Sequence, residues 1–202
     1  KENQINEILW ALNITGYECK YSDPRFSKTY EYGIFREQYM TLEEYKKKYF
    51  DSSRPYTVGL LESNMYVSNG QLQPYYALIK SLEAKGCNVI PVVAAGGSEN
   101  QLKVMVKYFT NAPSYEAYLN NPLKYTNNVN AIISMPAYGI GGNLFDNTTK
   151  YFETAGVPVF RAVHSDYVSN EEWELSATGL PGNRSDKWWH VAIGEAQGII
   201  EA

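Results

Sequence analysis

The sequence predicts an α/β domain: a doubly wound parallel sheet of Rossmann-like or flavodoxin-like kind, preceded by an N-terminal helical and loop segment. Three observations carry that prediction. From residue 56 onward, short apolar runs alternate with stretches whose apolar residues recur every three or four positions. The apolar runs are continuous, as in strands covered on both faces. Glycine, lysine–glycine and asparagine punctuate the junctions, as they do where helices stop and strands begin. Helices between such strands pack on both faces of a parallel sheet through right-handed crossovers.

Each element follows in order. Ile5, Ile8, Leu9 and Leu12 recur at helical spacing, and Gly16 ends the pattern. Residues 17–38 hold many turn formers and no sustained period, and read as a packed loop. Thr41 followed three residues later by Glu44 is a capping box, opening a helix that runs to about Phe50. Asp51-Ser-Ser-Arg-Pro55 marks a boundary, so residues 1–53 read as a segment packed on the core and 54–202 as the α/β domain. Residues 56–61 form the first core strand, followed by a polar loop through Gly70. Tyr75, Leu78, Ile79 and Leu82 share a helix face that Lys85 and Gly86 close. Residues 88–93 are the second strand and 101–109 the next helix. Residues 111–128 are a polar insertion with a helical turn of its own. Residues 131–134, 145–154 and 157–162 complete the series as strand, helix and strand.

Composition narrows the function. A net charge of −4 provides no basic field, so no nucleic-acid partner is expected. No apolar run approaches the ~20 residues of a transmembrane segment. No charged-then-apolar leader opens the chain, and the expected location is cytoplasmic. Cys19 and Cys87 are far apart and read as free thiols of a reducing compartment. Neither has the close Cys or His spacing that zinc requires, so no metal site is expected. Neither the P-loop pattern nor the dinucleotide glycine fingerprint appears, and no cofactor is expected on this chain. No Ser–His–Asp order or paired-carboxylate motif names a catalytic residue.

Doubly wound sheets bind ligands beyond the carboxyl ends of their strands. After the first strand stand Glu62, Asn64 and Tyr66, which serve either a solvated loop or a ligand. After the second, Gly96-Gly97-Ser98 is read as a strand-to-helix turn with Ser98 as N-cap, in preference to an anion cradle. After the third, Tyr138, Gly141 and Gly142 let the backbone approach something bulky; a flat ligand and a neighbouring loop rank equal. His164 follows the fourth strand as a possible acid, base or ligand, or as a hydrogen-bonded loop residue. His190, beside Trp188 and Trp189, reads as structural. Glu195 is a carboxylate in an apolar helix end; capping a neighbouring loop is preferred to a shifted pKa.

The order of segments resembles the large subunit of magnesium chelatase and cobaltochelatase. The resemblance rests on Tyr32-Gly-Ile-Phe35, Thr41-Leu-Glu-Glu-Tyr45 and Arg54-Pro-Tyr-Thr-Val-Gly-Leu-Leu61. Residues 77–86 followed by 88–92, Asn130-Ala-Ile-Ile-Ser134 with Gly141-Gly142, and Gly156-Val-Pro-Val159 continue it. Glu171-Glu-Trp173, Thr178-Gly-Leu180 and Glu195 with Gly198 extend it to nearly the whole chain. It implies a piece of a longer cytoplasmic subunit that binds a tetrapyrrole and receives Mg2+ or Co2+. ATP and Mg2+ would act through separate ATPase-type subunits, and this piece alone would be inactive. Family members usually carry Arg-Ser-His where Asn64-Met65-Tyr66 stand, and the closing Pro-Glu-x-Asp-Gly has Gly194 and Gln197 in its Pro and Asp places. These departures imply a different tetrapyrrole or a homologue without the chemistry. The alternative is a binding module like half of a periplasmic receptor, its cleft lined from the 18 tyrosines. A flavodoxin-like electron carrier would need a phosphate loop that the chain does not show.

Overall fold

A computed structural model describes residues 2–23, 32–136, 139–141, 145–162, 169–177 and 200–201. The chain divides into two compact units, residues 1–30 and 31–202. The first contains helix α1, Glu2–Ile14, which ends at Gly16 with φ of 95°. The chain then turns back along the helix: Asn13 Nδ2 donates to the Cys19 carbonyl at 3.0 Å and the Ser22 amide to Asn6 Oδ1 at 3.1 Å.

The second unit is built on seven strands: β1 (Tyr32–Arg36), β2 (Gln38–Met40), β3 (Tyr56–Ser63), β4 (Cys87–Ala94), β5 (Ala131–Ser134), β6 (Val159–Arg161) and β7 (Ile200–Glu201). Their order in the sheet is β2-β1-β4-β3-β5-β6-β7. The five strands from β3 to β7 are parallel, and their spatial order is the 2-1-3-4-5 of flavodoxin-like sheets. Winding reverses between β3 and β5. On one face, helix α4 (Gln73–Ala84) packs Tyr75 and Ile79 against Leu60, Val89 and Val93. On the other, α5 (Glu99–Phe109) and α7 (Phe145–Ala155) pack Leu102, Met105, Phe109 and Tyr151 with Leu61, Ile90 and Ile132. The continuous apolar strands are thus buried on both sides, as their sequence requires.

The remaining helices are short: α2 (Leu42–Tyr49), α3 (Asn64–Asn69), α6 (Tyr115–Asn120) and α8 (Asn170–Glu174). The capping box at Thr41 forms, with Glu44 N–H bonding the Thr41 hydroxyl and Glu44 Oε2 accepting the Thr41 amide. Within the polar insertion, α6 and a 3-10 turn at Pro122–Lys124 return the chain to the sheet, where Asn128 N–H meets the Phe109 carbonyl at 2.7 Å.

Four features depart from the sequence reading. Residues 32–38, expected within a packed loop, form with Tyr39 and Met40 the β1–β2 hairpin, which pairs antiparallel with β4 from Tyr32 opposite Ala94. The hairpin therefore belongs to the sheet, within the compact unit that begins at residue 31. Its turn lacks any Asn-Gly or Asp-Gly signal: Glu37 takes φ of 66°, and its amide donates to the Tyr76 hydroxyl at 3.2 Å. The first core strand continues to Ser63, and most of the supposed polar loop after it is α3, capped by the Ser63 hydroxyl on the Met65 amide. Ser98 stands at the N-cap position of α5 but does not cap it; its hydroxyl donates to the Ala95 carbonyl at 2.6 Å. Residues 157 and 158 precede β6, and β7 adds a fifth parallel strand beyond it.

Gly59 lies at the middle of the central strand β3, facing α5. A Cβ there would stand 2.8 Å from Phe109 Cζ, inside contact distance. We expect Gly59→Ala to destabilise the domain by about 1–3 kcal/mol through overpacking. Urea unfolding should show a lower midpoint at unchanged slope, and Phe109→Leu should recover part of the loss in the double variant.

Candidate ligand site at the strand ends

The reversal between β3 and β5 places the expected crevice at the carboxyl ends of those two strands. Buried polar side chains collect there. Glu62, Ser63, Ser134 and Arg161 are each 5% exposed or less, at the ends of β3, β5 and β6. Leu61, Ser134 and Arg161 lie in one cross-strand row facing α5 and α7, whereas Glu62 pairs with Val93 on the α4 face. Gln101 of α5 and Thr148 of α7 are both fully buried beside the same turn.

These groups hold the segment after β5 from three elements. Arg161 Nη2 donates to the Pro136 carbonyl at 2.6 Å. Gln101 Oε1 accepts the Gly141 amide at 3.1 Å, and the Thr148 hydroxyl donates to the Ile140 carbonyl at 2.9 Å. The sheet anchors the segment's start, where the Met135 amide bonds the Leu61 carbonyl at 2.9 Å. Gly141 has φ of 80°, and a Cβ on it would overlap the Thr148 hydroxyl. Only glycine meets both demands. Among the described residues, the Gln101 Nε2 and Ser134 Oγ atoms are buried with no hydrogen-bond partner. Such groups cost about 1–3 kcal/mol when left unbonded.

The other sequence-selected residues divide clearly. Glu62 is 2% exposed, and its Oε1 accepts the Ser63 amide at 2.6 Å. Asn64 opens α3 and is half-buried. Tyr66 is packed in the α4-side core with Leu60, Leu72 and Tyr75. Tyr75 donates its hydroxyl to the Phe35 carbonyl at 2.7 Å; burial pushes its pKa well above the ordinary value, with the charges of Tyr45 and Glu62 adding to the effect. Glu62, Asn64 and Tyr66 therefore gather at the end of β3, next to the strand that leads into the Gly141 turn. Tyr138, Gly142, His164, His190 and Glu195 lie outside the described residues.

Sequence reasoning did not single out Gln101, Ser134, Thr148 or Arg161. Their signal was present in two cases: Arg161 is a cation in the apolar run Val157–Ala162, and Ser134 ends one at Ala131–Ser134. Gln101 and Thr148 sit in ordinary helical sequence and carry no such mark.

The comparisons with known proteins bear on this geometry. The CobN/Magnesium Chelatase family matches residues 1–202. The chain belongs to this family. An uncharacterised protein of Methanocaldococcus jannaschii is 29% identical over 174 residues, covering 81% of this chain and 13% of that protein. The chloroplastic magnesium-chelatase subunit ChlH of Oryza sativa subsp. indica is 28% identical over 146 residues, 70% of this chain and 10% of the relative. The aerobic cobaltochelatase subunit CobN of a Sinorhizobium species is 25% identical over 148 residues, 73% and 10% respectively. The solved catalytic subunit of cobaltochelatase from Mycobacterium tuberculosis superposes with a TM-score of 0.56 at 15% identity, covering 95% of this chain and 14% of that one. At that identity the likeness shows a shared fold. The chain spans 10 to 14% of the length of these relatives. No helix among the described residues is long and apolar enough to cross a membrane, and these residues assemble no cluster of three His, Cys, Asp or Glu side chains.

Gln101→Leu removes the acceptor for the Gly141 amide while keeping the side chain's bulk. We expect about 1–3 kcal/mol of lost stability. Hydrogen exchange should speed up at Gly141 more than at Leu60 or Val92 in the core strands; uniform acceleration would mean that Gln101 acts only on global stability.

Proposed function

We propose that this domain forms one wall of the tetrapyrrole site of a CobN/Mg-chelatase large subunit, whose parent complex inserts Mg2+ or Co2+ into a porphyrin or corrin ring. ATP is hydrolysed on separate ATPase-type subunits, and the metal ion enters as substrate. The supporting observation is the turn at 139–141, bonded by Gln101 and Thr148 beside the reversal of the sheet. Family membership supplies the class of ligand.

The chemistry of the described wall is that of binding. Asn64 offers neutral hydrogen bonds, and Gly139, half-buried at the start of the turn, leaves backbone that a flat ring can approach closely. The family's usual Arg-Ser-His is here Asn64-Met65-Tyr66, so a peripheral carboxylate meets no cation at these three positions. The domain by itself orients a macrocycle; the reaction belongs to the full subunit with its partners.

The test is a titration of the 202-residue chain with protoporphyrin and with a corrin, following tryptophan quenching and the Soret band. We expect saturable binding that Asn64→Ala weakens about fivefold, the loss of one hydrogen bond of about 1 kcal/mol. Absence of binding to either ring by a chain that circular dichroism shows to be folded would overturn the proposal.

A further inference from the structure

A second concavity lies away from the switch point, on the hairpin side of α5. It is a cleft of about 360 Å³ between the start of β1, one flank of α5 and the segment leading into α6. Its size is at the small end of the ~300–1,000 Å³ that small-molecule sites occupy. Tyr32, Tyr115 and Pro113 give it apolar and aromatic walls, and Lys103, Lys107 and Glu116 give it charge.

The charges are unequally committed. Lys103 and Lys107 are four residues apart on α5 and share a flank of the helix. Lys103 Nζ is 2.9 Å from Glu99 Oε2, and it lies 6.0 Å from the centre of the Tyr115 ring. Glu116, exposed at the start of α6, has its pKa lowered by its own backbone amide and by the Ser114 hydroxyl. Lys107 has no carboxylate within 4.0 Å among the described residues. Its ammonium instead lies over two aromatic faces, 5.0 Å from the Tyr108 ring centre and 5.9 Å from that of Tyr32. Among the described residues, one cation of the cleft thus has aromatic faces beneath it and no carboxylate partner.

We infer that this cleft binds a small planar organic acid, its carboxylate on Lys107 and its ring or conjugated body between Tyr32, Pro113 and Tyr115. One unpaired cation suits a singly charged carboxylate. A phosphate dianion would need more: further uncommitted cations, an arginine fork or a glycine-rich run of amides, and the lining has no arginine or glycine. The inference is independent of the macrocycle reading, because neither the switch-point turn nor Asn64 lines this cleft.

The test uses benzoate as probe on the 15N-labelled 202-residue chain, with inorganic phosphate as a second arm at matched ionic strength. We expect saturable shifts of the Ala112, Ser114 and Tyr115 amides with benzoate and none with phosphate. Lys107→Gln should weaken benzoate about fivefold, the scale of a partly exposed charge pair near 1 kcal/mol, while Lys107→Arg retains it. Lys80→Gln, on the exposed side of α4, should leave binding unchanged. Absence of saturable benzoate shifts, indifference to Lys107→Gln, or equally tight binding of phosphate would each overturn the inference.

Discussion

The contact between Phe109 and the bare backbone of Gly59 is the constraint from which the strand-end site follows. The ring fills the space that a side chain at position 59 would need, and it is fully buried there. That contact brings the last turn of α5 down onto the central strand. A helix rises about 1.5 Å per residue, so Gln101 stands about 12 Å back along the axis from Phe109. Its carboxamide then meets the Gly141 amide from within the core. A helix lifted from β3 by even one methyl group would shift the clamp at its other end, because close-packed interiors transmit such displacements. The central glycine thus sets the height at which the turn after β5 is held.

The edge of the sheet is secured by different means. Without the hairpin, β4 would present a long apolar edge to solvent or to another chain. The hairpin covers it, and Arg36 fixes the hairpin to α4 through a two-pronged pair with Glu83 at 2.6 and 3.0 Å. The Arg36 guanidinium also lies 4.1 Å from the Tyr49 ring centre. Burial works against its charge, but the bonds with Glu83 and the neighbouring Tyr45 outweigh it and raise its pKa. Tyr45 responds in the opposite sense: burial pushes its hydroxyl up to about 12, with Arg36 only partly opposing. The hairpin side is therefore tied by one committed ion pair and neutral tyrosines, and Tyr75 carries that order inward from Phe35 towards the end of β3.

What the sequence made legible follows from the strength of each local signal. The strands from Val58 to Leu61, Val89 to Val93 and Ala131 to Ser134 could be read because continuous apolar runs have few other uses in a chain of this charge. The Thr41 box could be read because it is a local pattern that the structure reproduces bond for bond. The β1–β2 hairpin could not, since its turn depends on Glu37 at positive φ, held by Tyr76 and reached only across the fold. Helix α3 was hidden for another reason: six residues hold too few turns to show a period. The clamp at Gly141 was half visible. The glycines announced a close approach, but the sequence ranked a ligand and a neighbouring segment equally. The structure puts Gln101 and Thr148 against Gly141 itself, so at that residue the close approach is to neighbouring segments of the fold.

That distinction bears on what so small a share of a long subunit would contribute under the proposed reading. A doubly wound domain offers a ligand only the rim at its strand ends, and a flat macrocycle needs more walls than one rim supplies. The useful contribution of such a rim is stiffness. A turn fixed by Arg161, Gln101 and Thr148 from three different elements has lost freedom during folding, so on the proposed reading little more would be lost when a ring settles on it. Buried side chains that bond the backbone of the turn would then matter for affinity without meeting the ligand. On the proposed reading, a neutral residue such as Asn64 would tune which macrocycle is accepted at the rim, while the clamp beneath would set how firmly it is held.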